Sequence, residues 1–162
     1  MEREKQEMID KVRAAVKDRA TWFALLYRTF KAALPEEDVE RLARKAIYEF
    51  GRLKAKKDPE PFSPASWVER HVEKGSNLIF DSDVAVAEEG AWQTMKYCPL
   101  VEAWKEMGCT EAEIDLFCDI AMEGDRGRAD AHGVGMELNE RIGKGDPCCK
   151  LLVFHKPSLE TR

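Results

Sequence analysis

From Ile9 to Phe30 the apolar residues fall at steps of three and four, through Val12, Val16, Phe23, Leu26 and Tyr27. That spacing lines one face of a long α-helix and excludes a strand, whose buried side chains recur every second residue. Leu34-Pro35 stops the run, because proline has no N–H and disfavours helix in the residue before it. A second helix is expected from about Glu36, with acid in its first turn and Val39, Leu42, Ala46, Ile47, Phe50 and Leu53 on its apolar stripe. Residues 1–57 therefore read as a helical hairpin.

Residues 58–75 are a connector, rich in charge and then in proline (Pro59, Pro61, Pro64), followed by a short helix. Ser63 caps that helix, Pro64 opens it, Trp67, Val68 and Val72 line it, and Gly75 ends it. Beyond Gly75 the period changes. Val84 and Val86, a turn at Glu89-Gly90, and Trp92, Thr94 and Lys96 suggest a hairpin that delivers the chain to Cys98. Pro99 then starts a helix that stops at Gly108. Thr110 and Glu113 form a capping box before another helix, whose inner face carries Ile114, Phe117, Cys118, Ala121 and Met122. Gly124 to Gly135 shows no apolar rhythm and is expected to be an irregular loop over a site. Met136, Leu138 and Ile142 alternate with polar residues, a turn follows at Gly143–Asp146, and Cys148 to His155 returns as a strand. The expected class is α+β in a single domain over residues 1–162: the helical hairpin, then a small antiparallel sheet of hairpins packed with helices in residues 76–162.

A net charge of −5 with acid spread throughout argues against nucleic acid as a partner. No run approaches the length of a membrane helix, and no apolar core follows the opening Met-Glu-Arg-Glu-Lys, so a cytoplasmic protein with no membrane partner is expected. Five cysteines, an odd number, then point to free thiols. The stripe of the first helix fits packing on the chain's own sheet or on a second copy, so a homodimer is one expectation.

Cys98 stands before a proline and a helix start, where backbone N–H groups and the helix dipole favour the thiolate; a cysteine ending a buried strand is the plainer reading. Cys118 shares a helix face with Met122, and a small core residue is the alternative there. Cys149 shares a strand face with Leu151 and Val153, while Cys148 points the other way. Cys109 falls in a turn and looks incidental. There is no C-x-x-C pair and no zinc spacing, so no metal is expected. The glycines match neither phosphate-binding nor dinucleotide-binding patterns, so no cofactor is indicated. His132 is the one histidine held as a candidate acid or base. Trp67, Trp92 and Trp104 suit either the core or the aromatic wall of a pocket.

Tyr97-Cys98-Pro99-Leu100, Trp104 to Gly108, Phe117-Cys118 and Arg141-Ile-Gly-Lys-Gly145-Asp146-Pro-Cys-Cys149 occur in an order that resembles the L-2-amino-thiazoline-4-carboxylic acid hydrolase family. The likeness runs from Tyr97 to Phe154. One departure is Met122, where the family often has Asp four residues after the mid-helix cysteine; Asp119, Glu123 and Asp125 stand nearby. The resemblance implies ring opening by water on a small cyclic C–N/C–S compound, giving a carbamoyl-cysteine type of product. It implies Cys98 as nucleophile with Cys118 beside it, and Asp119 or Glu137 moving protons. Cys149, Met122 and Trp92 would line the pocket, and Arg141 would hold a substrate carboxylate. The competing expectation is a non-catalytic small-molecule sensor of the vinyl-reductase-like type, which keeps the pocket and needs no nucleophile. A third is a thiol-based metal handler, with Cys118 among its ligands.

Overall fold

The computed structural model describes residues 1–157. Helix α1 (Glu2–Ala33) ends where Leu34 donates its N–H to the Phe30 carbonyl at 2.8 Å, just before Pro35. Helix α2 (Val39–Ala55) is capped by the Asp38 carboxylate, which accepts from the Arg41 N–H. Helix α3 (Pro64–Glu73) begins at a reciprocal Ser63/Ser66 capping box with proline at its first turn. A single turn, α4 (Ser76–Ile79), leads into the hairpin of β1 (Ser82–Ala87) and β2 (Gly90–Met95). Helices α5 (Pro99–Glu106) and α6 (Glu111–Ala121) follow, the second capped by Thr110 and Glu113 as expected. Helix α7 (Glu123–His132), β3 (Val134–Glu140), a 3-10 turn at Ile142–Lys144 and β4 (Cys149–His155) complete the chain. The class is α+β.

The sheet is antiparallel throughout, in the order β1-β2-β4-β3. Ala91, Gln93 and Met95 of β2 stand opposite Val153, Leu151 and Cys149 of β4, so these six side chains form one inner row. Trp67 and Val68 of α3 close over that row with Ala129 and Val134. A second core gathers Trp104, Phe117, Val101 and Ile114 against Ala20 and Ala24 of α1, where the Trp104 indole donates to the Ala20 carbonyl at 2.9 Å.

The stretch Gly124 to Gly135, expected as an irregular loop, is instead helix α7 and the start of β3. It lacks an apolar stripe because its contact with α2 is made by glycine. A Cβ on Gly51 would strike the Gly124 carbonyl, and one on Gly127 would strike the Tyr48 carbonyl, so the two backbones lie almost in contact. An adjoining flank of α7 is fixed by charge: Arg128 and His132 both bond Asp58 of the connector. Consecutive helices α1 and α2 do follow one another across the Pro35 turn, but α2 packs mainly on α7 and α1 mainly on α5. Among the described residues no helix is long and apolar enough to cross a membrane.

The glycine contact allows a comparison across the two helices. Alanine normally gains on glycine inside a helix, so Gly124→Ala, with its nearest neighbour at 3.7 Å, should leave urea stability level or slightly raised. Gly127→Ala and Gly51→Ala should each cost about 1–3 kcal/mol by forcing the helices apart. Equal stability of all three variants would refute the close crossing.

Candidate functional site

Between the inner row of the sheet and helices α1, α2 and α3 lies a cavity of about 650 Å³. Val12, Val16 and Phe23 of α1 and Ile47 and Phe50 of α2 supply much of its apolar wall. Cys98, Cys118 and Cys149 all reach it, from the start of α5, the last turns of α6 and the first residue of β4. Chain elements 51 residues apart in sequence thus bring three thiols to one surface, and all five cysteines among the described residues are free.

Each of these sulfurs has backbone N–H groups beside it. Cys149 accepts from Ile142 at 3.2 Å. Gly143 approaches Cys118 so closely that a Cβ there would strike the cysteine side chain. The amides of Leu100 and Val101 face Cys98 and favour its thiolate, though none closes into a side-chain cap. Burial nevertheless dominates. It pushes the Cys98 thiol up to about 11 and the Cys118 thiol up to about 12, with the neighbouring sulfurs adding to both. Cys149 is raised by burial as well. The helix start alone had suggested a thiolate at Cys98; enclosure outweighs the dipole, and the resting group is the thiol.

The other end of the cavity is polar. Arg70, His71 and Lys74 of α3, Arg128 of α7, Lys54 of α2 and Gln93 of β2 border it, together with Asp125. Arg128 chelates the buried Asp58 at 2.6 and 2.9 Å and lies over the Trp67 ring at 4.4 Å. Asp125 has neither hydrogen bond nor ion pair among the described residues, and burial raises its carboxyl above the usual value despite the cations of Lys54 and Arg128. His71 bonds the Ser82 hydroxyl at 3.0 Å. Burial, with Arg128 and Lys54, pulls its pKa down to about 4.

Of the residues singled out in the sequence, Cys98, Cys118, Cys149 and Met122 line this cavity. Asp119, Glu137, Arg141 and Trp92 do not. Asp119 is held by Arg44 at 2.8 Å, Arg126 at 2.8 Å and Arg141 at 2.9 Å. Burial opposes its ionisation, but Arg126 and Arg44 outweigh that and keep the carboxyl below its usual range. Arg141 is in turn spent on Asp119 and Asp115. Glu137 is exposed on β3, and Trp92 occupies the face of β2 opposite Gln93. His132 is ion-paired to Asp58 and stacked on Phe62 at 3.7 Å. Sequence reading had no means of selecting Gln93, Arg70 or Lys74, since nothing in their local pattern separates them from surface residues. No group of three or more His, Cys, Asp or Glu side chains suited to a metal ion occurs among the described residues.

Residues 13–153 match the family model for L-2-amino-thiazoline-4-carboxylic acid hydrolase. The chain belongs to this family. Its fold is also similar to a solved structure titled as trafficking protein particle complex subunit 3 from Naegleria fowleri covalently bound to palmitic acid, with a TM-score of 0.52. That alignment covers 90% of this chain and 99% of the other at 14% identity, which is a likeness of fold. No curated protein matches the chain. The family match spans all three cavity cysteines and both ends of the pocket.

Two pH responses follow for this family member. Above the ordinary histidine value of 6.5, His71 is neutral folded and unfolded; between there and about 4 the unfolded chain takes a proton that the folded protein refuses. Stability should therefore fall as pH drops through that window, and His71→Gln should flatten the fall, as read by urea midpoints. Alkylation of native Cys98 by iodoacetamide should still be accelerating at pH 10, whereas in urea it should level off near the ordinary thiol value. A native plateau below pH 8 would contradict the enclosed thiol.

Proposed function

We propose that this protein is a hydrolase acting on a small cyclic C–N/C–S compound of the 2-aminothiazoline-4-carboxylate kind, with Cys98 as nucleophile. The observation that carries the reading is that Cys98 and the unpaired carboxyl of Asp125 border one cavity, in a chain whose family is named for that hydrolase. Among the three thiols Cys98 is the choice because the amides at the start of α5 face its sulfur and stabilise negative charge as it develops. Since the thiol is protonated at rest, attack on the amidine carbon must release its proton in the same step. Asp125, in its ionised form, is the acceptor we assign, reached from Cys98 through water because it borders the polar end of the cavity and not the thiols. It takes over the part that Asp119, locked among three arginines, and the exposed Glu137 are badly placed to play.

Opening the ring then breaks the bond from that carbon to the ring sulfur, and the departing sulfur recovers the proton from Asp125. Water adds to the enzyme-bound carbon, Cys98 leaves with a proton, and a carbamoyl product is freed. Cys118 and Cys149 shape the pocket beside the reacting sulfur.

A second reading is supported by the cavity itself. Its size exceeds what one small ring fills, its wall is largely apolar and its thiols are protonated, which suits a non-catalytic binding domain. In the fold neighbour titled as covalently bound to palmitic acid the ligand is an acyl chain, and a Cys98 thioester would be the corresponding form here.

Incubation with 2-aminothiazoline-4-carboxylate, followed by mass spectrometry of the products, separates the two. Hydrolysis should appear with the intact protein, vanish in Cys98→Ser and fall at least roughly a hundredfold in Asp125→Asn, the usual scale for loss of a general base. Cys118→Ser and Cys149→Ser should retain measurable turnover. Absence of turnover, with an acyl adduct on the purified protein that hydroxylamine removes, would establish the binding reading instead.

A further inference from the structure

Two buried polar atoms on the wall of the cavity have no partner: Nε of Arg70 and Oε1 of Gln93. One is a donor and the other an acceptor. Gln93 is 6% exposed, on the inner face of β2, and α3 carries Arg70 across that strand. The Gln93 amide nitrogen points to the Met95 sulfur at 3.3 Å. A thioether accepts but cannot donate, so this contact fixes which end of the amide is which and leaves the oxygen free. Arg70 reaches Glu73 with its outer nitrogen at 2.8 Å, while its Nε stops 3.8 Å from Asp58, beyond hydrogen-bond range. Asp58 is already occupied by Arg128 and His132.

Charge at this end is unbalanced. Lys74 stands 4.0 Å from the same Asp58, and burial together with the repulsion of Arg128 and Arg70 lowers its pKa. Arg70, Lys74 and Lys54 therefore crowd a space whose own unpaired acid, Asp125, resists ionisation. An anion brought in by a ligand relieves that crowding.

We infer that this end of the cavity is a recognition subsite for a compact amino-acid-like head group, whose carboxylate accepts from Arg70 and whose neighbouring N–H donates to Gln93. A cyclic amidine carrying a carboxylate presents both groups side by side; a fatty acid presents only the first and leaves the Gln93 oxygen unsatisfied. Spacing suits a small molecule. Gln93 lies two residues before Met95, which is paired with Cys149, so the polar subsite is roughly 7 Å along the strand from the thiol end. Arg70 and Gln93 thus take the part that the family resemblance implied for Arg141. The inference rests on the hydrolase reading for the reaction that follows, but the head-group selection stands on its own geometry.

Binding is measured by calorimetry on the Cys98→Ser protein, which removes the proposed nucleophile. The probes are 2-aminothiazoline-4-carboxylate, 2-amino-2-thiazoline, which lacks the carboxylate, and decanoate, which lacks the N–H. The carboxylated amidine should bind tightest. Arg70→Met and Gln93→Leu should each weaken it by roughly ten- to a hundredfold, the scale of a lost hydrogen bond to a charged or buried group. Arg70→Met should leave 2-amino-2-thiazoline unchanged, and Gln93→Leu should leave decanoate unchanged or tighter. Arg70→Lys, which keeps the charge and the fold but not Nε, should restore little. Tight binding with these dependences but no turnover by the protein retaining Cys98 would sink the hydrolase reading and leave the subsite standing. Turnover with KM unmoved in Arg70→Met and Gln93→Leu would do the reverse. Decanoate binding tightest, insensitive to Gln93, would overturn the subsite.

Discussion

A single buried carboxylate, Asp58, holds the arrangement together. Its side chain is 1% exposed, and a charge so enclosed is tolerated only when fully paired. Arg128 pairs it bidentately and His132 adds a third bond, while Phe62 covers the imidazole and Trp67 the guanidinium. This knot ties the proline-rich connector and α3 to α7. It also explains how α7 can exist without an apolar stripe: glycines seat it against α2, and Asp58 anchors it through the adjoining Arg128 and His132. Asp125 lies three residues before Arg128, one turn back on the same helix, so the knot that fixes Arg128 also sets the unpaired carboxyl at the cavity. Removing one partner would leave a buried charge exposed to low dielectric, and the site would lose its frame before it lost any reacting group.

The thiols show two effects of opposite sign acting on one atom. A helix N-terminus is worth about 0.3–1 kcal/mol to a nearby anion, up to about 2 in enclosed geometry. Desolvation of a buried ionisable group moves its pKa by as much as roughly 3–5 units, which is several times larger. The net result at Cys98 is a thiol near 11, although the amides facing it pull the other way. The consequence is chemical: such a cysteine is quiet toward adventitious oxidants and electrophiles, and becomes a nucleophile only when a ligand brings the electrophile and a base takes the proton. For the reaction proposed, that condition makes an unpaired acid on the same cavity as important as the sulfur.

The elements with strong local signals were legible in the sequence. The Ser63 and Thr110 capping boxes, Pro64 and Pro99 in first helical turns, the Glu89-Gly90 turn and the Cys149/Leu151/Val153 face of the last strand all carry their instructions within a few residues. Helix α7 was not legible, because its stability comes from backbone contact with α2 and from Asp58, 70 residues before Arg128 in the chain. The cysteines could be picked out by type and by family resemblance, but their meeting at one surface depends on strand order. Asp119 was the carboxylate picked out in sequence and Asp125 only stood near it; the fold alone brings Arg44, 75 residues earlier, with Arg126 and Arg141, onto Asp119. Arg141 is drawn away from the cavity for the same reason, since an arginine's availability is decided by which carboxylates the fold brings to it.

Fold likeness at 14% identity carries the fold but not the chemistry of the cavity. What distinguishes this cavity is the polar groups it leaves unmet. A buried donor or acceptor without a partner costs about 1–3 kcal/mol, and an apolar side chain of similar shape at Gln93 would avoid that cost while packing equally well beside Leu151. A site meant for hydrocarbon alone has no use for the amide oxygen, nor for Arg70, Lys74 and Lys54 gathered around an acid that resists ionising. The stability given up at these atoms is recovered only when a molecule with matching charge and hydrogen-bonding groups enters. On that ground the polar wall, and not the cavity's volume, is what favours the head group proposed over a plain hydrocarbon ligand.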